Sequence, residues 1–115
     1  MEECLFCKIA NKKISSNIVY ENDYVIAFND INPVAPVHVL VIPKIHIQDL
    51  NNLNENNIKY ASEIILAIKH IAKIMGISED GYRVISNTGE NAGQVIPHLH
   101  FHLLGGKNLG SKLIK

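Results

Sequence analysis

The chain has no tryptophan, only two cysteines and four prolines among its 115 residues, and aromatic residues make up 6%. Its 11 basic and 11 acidic side chains cancel to a formal net charge of zero. This balance argues against the extended basic surface that binds duplex DNA or RNA, although it leaves room for a local small-anion site. We therefore expect no nucleic-acid partner.

Long apolar runs are also missing. No run approaches the roughly 18 residues that span a bilayer, and no N-terminal stretch reads as a cleavable signal. We therefore expect a cytoplasmic protein with no membrane partner. In that reducing compartment Cys4 and Cys7 are expected to be thiolates rather than a disulfide. The length and the 47% hydrophobic content indicate a single globular domain, residues 1–115.

The apolar patterns predict an α+β domain with an antiparallel sheet of about five strands. One long helix should start near Asn54 as its cap and end at a left-handed Gly76, with its apolar stripe covering one face of the sheet. The other face is then free for a site. The expected stripe comprises Ile58, Ala61, Ile65, Ile68, Ala72 and Met75. The expected elements are a short helix at 4–11, strands at 18–20, 24–28 and 37–42, a helix at about 55–75, and strands at 82–86 and 97–104.

Three histidines alternate with apolar residues in the segment Pro97 to Leu104, which reads P-H-L-H-F-H-L-L. In an extended strand, His98, His100 and His102 would form one row on one face. Such a row could bind a catalytic metal, relay protons, serve the structure only, or hold a nucleophile whose neighbours contact phosphate. The Gly- and Asn-rich segment 87–93 just before it supplies N–H and amide donors, which favours the nucleophile.

The remaining signals are weaker when taken alone. Cys4-x-x-Cys7 is half of a zinc site, and a packing or redox role explains it about as well. Phe6 and Phe28 by themselves are better explained by core packing than by ligand binding.

The pattern His98 to Leu104 resembles the signature of the histidine triad (HIT) superfamily of nucleotide hydrolases and transferases. Other segments resemble its Hint branch in order and spacing; they are Phe6, 27–33, 38–44 with His46, 87–89, 93–94 and 103–106. The resemblance implies a HIT-like fold, a homodimer whose sheet continues across a two-fold axis, and an enzyme that hydrolyses purine nucleoside 5′-phosphoramidates of the AMP type.

The resemblance also implies roles for single residues. His100 matches the nucleophile that forms a covalent nucleotidyl-imidazole, His102 and Asn87 match contacts to the α-phosphate, and His38 matches a supporting histidine. Asp30 matches the acceptor of the ribose hydroxyls. The full set expected to bind the nucleotide is Leu5, Phe6, Ile9, Phe28, Asn29, Asp30, Ile31, Asn87, Gly93, Gln94, Val95, His100 and His102.

A metal site follows from the same resemblance. Many bacterial and some protist HIT proteins pair such a CxxC with the histidine of the I-P-K-x-H segment and the first histidine of the triad. The matching set is Cys4, Cys7, His46 and His98, a closed Cys₂His₂ site for structural Zn²⁺. No organic cofactor is expected.

Two departures from animal Hint proteins bear on the reaction. Those proteins have a serine after Gln94 and a tryptophan in the C-terminal tail, whereas this chain has Val95 and no tryptophan. Leaving-group protonation and substrate preference are therefore the open points. The alternatives are a dinucleoside polyphosphate hydrolase, or a zinc-stabilised nucleotide-binding interaction module with little catalysis.

Overall fold

A computed structural model describes residues 4–114. Five antiparallel strands form one sheet in the order β1-β2-β3-β5-β4. The elements in chain order are α1 (Leu5–Ala10), β1 (Ile18–Glu21), β2 (Val25–Asn29), β3 (Val37–Pro43), α2 (Ile58–Ile74), β4 (Tyr82–Ile85) and β5 (Phe101–Gly105). The predicted α+β class and sheet are confirmed. Within the described residues, no helix is long and apolar enough to span a membrane.

The two faces of the sheet are covered by different helices. On one face, Val39 and Val41 of β3 pack with Leu103 of β5 and with the buried side of α2. On the other face, Leu40 and Ile42 pack against α1. Because side chains alternate along a strand, His38 lies on the α1 face together with Leu40. His38 therefore lies on the face opposite α2, which is the face on which the sequence predicted a site.

The buried stripe of α2 differs from the predicted one. Its buried residues are Ile64, Ala67, Ile68, Ile71 and Ala72. The predicted members Ile58 and Ile65 are 49% and 54% exposed. The helix carries apolar residues on more than one side, so periodicity alone could not identify the side that meets the sheet.

The ends of α2 were predicted with unequal success. The helix begins at Ile58, about one turn later than expected, because Asn54 closes a separate turn in which its side chain accepts from the N–H groups of Asn56 and Asn57. At the other end Gly76 has φ +74° and follows the last helical turn, as predicted.

The predicted histidine strand is wrong in its first half. Strand β5 begins only at Phe101, which pairs with Val41 of β3. Before that point the N–H of Leu99 donates to the carbonyl of Ile47 instead of to a strand. The backbone therefore leaves the sheet before Phe101, although β3 itself continues past Val41 to Pro43. Strand β5 ends at Gly105. A side chain would not fit at this position, because a Cβ would lie 2.8 Å from the Ile77 side chain.

Candidate active site

The three histidines of the triad occupy three different environments. His98 is fully buried, His100 is buried beside the ring of Phe6, and His102 is half-buried beside His38. The intervening Leu99, Phe101 and Leu103 pack into the core against α2. The alternation predicted from the sequence is thus present, but the imidazoles do not form equivalent members of a row.

His98 faces the two cysteines. Its Nε2–H donates to the carbonyl oxygen of Pro43 at 3.1 Å, so its lone pair is on Nδ1. That Nδ1 lies 3.3 Å from Sγ of Cys4 and 3.4 Å from Sγ of Cys7. Burial lowers the pKa of His98 to about 4, more than the Pro43 carbonyl raises it, so the ring is neutral at pH 7.

The predicted metal ligands come together. Sγ of Cys7 lies 3.2 Å from Nδ1 of His46, and the four ligand atoms of Cys4, Cys7, His46 and His98 all lie within 4.8 Å of one another. Both cysteines are free thiols. This group could hold a metal ion, and four side-chain ligands would leave no open coordination position.

Local structure explains the spacing of the two cysteines. Cys4 is the N-cap of α1, and its Sγ accepts the N–H of Cys7 at 3.3 Å. The first turn of the helix therefore brings both sulfurs to one side. Burial, followed by the hydrogen bond with Cys4, raises the pKa of Cys7 to about 11. A bound cation would have to displace this proton.

His100 presents one nitrogen for reaction. Its Nδ1–H donates to the carbonyl oxygen of His98 at 2.7 Å, which leaves the lone pair on Nε2. The ring of Phe6 meets the imidazole edge-on, with centroids 5.1 Å apart. Ser86 also braces this residue, because its hydroxyl donates to the His100 carbonyl at 2.9 Å. A neutral imidazole held in this tautomer is a nucleophile.

His102, His38 and Asp30 form the second half of the site. Nε2 of His38 lies 2.9 Å from Nδ1 of His102 and 3.4 Å from Oδ2 of Asp30. The N–H of Asp30 also donates to the His38 carbonyl, which holds the carboxylate next to the imidazole. Burial, followed by the neighbouring His100 and His38, lowers the pKa of His102 to about 4, so its ring is also neutral at pH 7.

The loop before the triad is folded by the Gln94 side chain. Its Oε1 accepts the N–H of Gly89 at 2.9 Å, and its Nε2 donates to the carbonyls of Gln48 and Ile96 at 2.9 and 3.1 Å. The side-chain amide is thus used within the protein, and the nucleotide contact that the resemblance implies for Gln94 stays a prediction. Gly93 has φ +81°, and Val95 is 88% exposed.

The residues predicted to enclose a base divide into two groups. Phe6, Ile9 and Phe28 are buried, and the rings of Phe6 and Phe28 meet edge to face at 5.7 Å. Leu5 is 42% exposed and Ile31 is 92% exposed. Phe6 packs in the core and also contacts the ring of His100. Asn29 ends β2 and Asn87 follows β4, and both are half-buried.

Three groups that position the histidines were not predicted. They are the Val34 amide, the Pro43 carbonyl and the Ser86 hydroxyl. Two of them are backbone groups, which every residue carries, so no residue type could have indicated them. The serine precedes the Asn-Thr-Gly loop and could have been noted for that place alone.

The site and the sheet together define a class of protein. A HIT domain model matches residues 11–109. The chain therefore belongs to the HIT domain family.

Proteins similar to this chain cover nearly its whole length. The purine nucleoside phosphoramidase of Escherichia coli (strain K12) is 46% identical over 112 residues, which are 97% of this chain and 94% of that protein. The solved structure of a HIT family hydrolase from Clostridium thermocellum has a TM-score of 0.96 and 49% identity, covering 99% of each chain. A histidine triad protein from Clostridium difficile has a TM-score of 0.94 and 47% identity, covering 97% of each chain. These likenesses support hydrolase activity.

Proposed function

We propose that this protein hydrolyses purine nucleoside 5′-phosphoramidates of the AMP type through a covalent nucleotide on His100. The observation that carries the proposal is the hydrogen bond from Nδ1–H of His100 to the His98 carbonyl, because it leaves the lone pair of the ring on Nε2. The centroid of this ring lies 5.2 Å from that of His102. The similar phosphoramidase from Escherichia coli supports the choice of substrate.

The reaction has two displacements at phosphorus. Nε2 of His100 attacks the phosphorus, the P–N bond of the phosphoramidate breaks, and the leaving nitrogen takes a proton and departs as an amine. Water then attacks the same phosphorus and gives up a proton, which replaces the proton that the leaving nitrogen took; the bond to Nε2 breaks, and AMP is released. In this proposal His102 donates to the phosphate and the Asp30 carboxylate accepts from the ribose hydroxyls.

His100→Ala tests this mechanism. We expect turnover of adenosine 5′-monophosphoramidate to fall by at least ~10⁴-fold, because no nucleophile is left, while AMP still binds. His70→Ala is the matched control, since His70 is exposed on α2 beside Tyr20, away from the cluster. Full activity of His100→Ala would contradict the mechanism.

A substrate panel separates the alternatives. Faster cleavage of dinucleoside polyphosphates than of phosphoramidates would indicate a dinucleoside polyphosphate hydrolase, whose reaction differs from the proposed one only in the leaving group. Tight AMP binding with no detectable hydrolysis would instead favour a nucleotide-binding module. Either result would overturn the proposed substrate class.

We further propose that the ion of the four-residue cluster is Zn²⁺ with a structural role. Two thiolates and two imidazoles in a closed set suit zinc, and the second nitrogen of His98 donates to a carbonyl, as metal-bound histidines usually do. The test is elemental analysis of protein purified without chelator. About one equivalent per chain is expected in the wild type and far less in Cys7→Ser, and under ~0.1 equivalent in the wild type would contradict the proposal.

We propose a homodimer that forms through the outer edge of β4, which has no neighbouring strand among the described residues. This strand is at the edge of the sheet, and Tyr82 and Val84 on it are exposed, as are Ile65 and Leu66 on α2. Pairing through this edge would cover both surfaces. Sedimentation should give twice the chain mass of 12.8 kDa, and Val84→Lys should shift it toward the monomer. A monomeric wild type would contradict this proposal.

A cytoplasmic location is proposed because a thiolate metal site is best kept in a reducing compartment. Cell fractionation with an antibody against the chain tests it. Recovery in a secreted or membrane fraction would contradict it.

A further inference from the structure

The N–H of Val34 donates to His38, the histidine next to His102. Val34 lies in the loop between β2 and β3, and its main-chain N–H donates to Nδ1 of His38 at 3.2 Å. A backbone N–H can only donate, so this Nδ1 must accept and carries no proton. The neutral His38 ring therefore has its proton on Nε2.

The position of the proton on His38 determines the position of the proton on His102. Nε2 of His38 lies 2.9 Å from Nδ1 of His102, so the Nε2–H of His38 donates there and Nδ1 of His102 accepts. Because His102 is neutral at pH 7, its single proton must then be on Nε2. That N–H is the donor a phosphate oxygen or a leaving nitrogen requires.

We propose that the main-chain amide of Val34 is a positioning group that sets the tautomers of His38 and His102, and so makes His102 a hydrogen-bond donor to the substrate. His100 is set in the opposite sense by a carbonyl, which makes its Nε2 an acceptor. The Val34 N–H thus makes His102 a hydrogen-bond donor, and the His98 C=O makes the neighbouring His100 a nucleophile. The catalytic use of these tautomers rests on the proposed function, whereas the tautomers themselves do not.

The same argument explains why this trio is a poor metal site. Ligand atoms of Asp30, His38 and His102 lie within 4.8 Å of one another, which by distance alone would suit an ion. A metal on Nε2 of His38 would need that nitrogen deprotonated while Nδ1 still accepts from Val34, leaving an imidazolate. His98 has the opposite arrangement, because its second nitrogen donates to the Pro43 carbonyl.

Histidine NMR tests the tautomers directly and needs no substrate. In the ¹⁵N-labelled holoprotein, above the ordinary histidine pKa of about 6.5, two-bond ¹H–¹⁵N correlations should show Nε2–H forms for His38 and His102 and an Nδ1–H form for His100. A predominant Nδ1–H form of His38 would overturn the proposal. A wild type with these tautomers but no phosphoramidate turnover would overturn only the proposed function.

A matched pair of variants tests the role of the amide. Val34→Pro removes the N–H, whereas Val34→Ala keeps it, and the Val34 side chain is 66% exposed, so little packing is lost in either. We expect Val34→Pro to give mixed His38 tautomers and a kcat about tenfold lower, and Val34→Ala to stay within about twofold of the wild type. Equal losses in both variants would contradict the role.

Two further measurements keep the test decisive. If circular dichroism shows that Val34→Pro does not fold, a backbone ester at position 34 removes the same N–H and keeps the side chain, with the same expected tautomers and rate. In His38→Gln, the side-chain Nε2–H still reaches His102 but no Nδ1 remains. In the His38→Gln background, Val34→Pro should therefore lower kcat no more than Val34→Ala does. A kcat that is still about tenfold lower in Val34→Pro would show that the amide acts elsewhere.

Discussion

The ring of His98 faces the sulfurs of Cys4 and Cys7, while its carbonyl oxygen accepts Nδ1–H of His100 at 2.7 Å. One residue therefore contributes its side chain to the candidate metal site and its main chain to the proposed nucleophile. Any movement of the His98 backbone displaces the group that orients His100.

Metal removal should therefore affect hydrolysis as well as stability. We expect chelation to lower Tm by roughly 10 °C, the equivalent of about 2 kcal/mol, and to reduce turnover because the His98 carbonyl is less well held. Calorimetry and hydrolysis assays on the same samples, before and after zinc is restored, measure this. A lower Tm with unchanged turnover would show that the two sites are independent.

Metal binding should release protons. The pKa of Cys7 is raised to about 11, so its thiol is protonated at pH 7 in the metal-free protein, whereas His98 with a pKa of about 4 is already neutral. Affinity should rise with pH across the neutral range, because binding must remove the thiol proton. Calorimetric titration with Zn²⁺ in buffers of different ionisation enthalpy counts the protons. Release below half a proton per ion would contradict this expectation.

The metal-free protein should lose stability in mild acid. The folded state keeps His98 neutral down to about pH 4, whereas the unfolded chain protonates it below about 6.5, so the unfolded state binds more protons between these values. Stability is then full above pH 6.5 and falls as the pH drops toward 4, by about 3 kcal/mol for this residue. His102 contributes in the same direction.

Urea unfolding of the metal-free protein at several pH values measures this loss. His98→Gln should show a flatter pH profile than the wild type because the titrating ring is gone. A wild-type midpoint that stays constant from pH 6.5 to pH 4 would contradict the prediction.

Gln94→Ala should loosen the loop before the triad. The variant loses the acceptor for the Gly89 N–H and the donors to the carbonyls of Gln48 and Ile96. We expect faster amide exchange at Gly89, about 1–3 kcal/mol lower stability and a KM for phosphoramidate that rises more than kcat falls. Gln48→Ala is the control, because only the Gln48 main chain takes part and its side chain is exposed. Similar effects of both substitutions would rule out this role for Gln94.

Much of the architecture could be predicted because it depends on local pattern. Short β-prone and apolar runs predicted the strands, among them the paired β1 and β2 at 18–20 and 24–28, and Gly76 was predicted to end the long helix. The buried side of α2 could not be chosen from the sequence, since Ile65 and Ile64 are equally apolar and only contact with the sheet distinguishes them. The start of that helix was misplaced because Asn54 caps a turn of its own.

The sequence by itself determined which histidines and cysteines are available to the candidate site: the His-x-His-x-His spacing, the CxxC pair and the isolated His38 and His46 are all present as residue types in a fixed order. The tertiary structure decided which nitrogen of each imidazole carries the proton. The Pro43 carbonyl decides this for His98, the His98 carbonyl for His100, and the Val34 amide for His38. Main-chain groups are chemically the same at almost every position, so only the fold determines which one meets which ring.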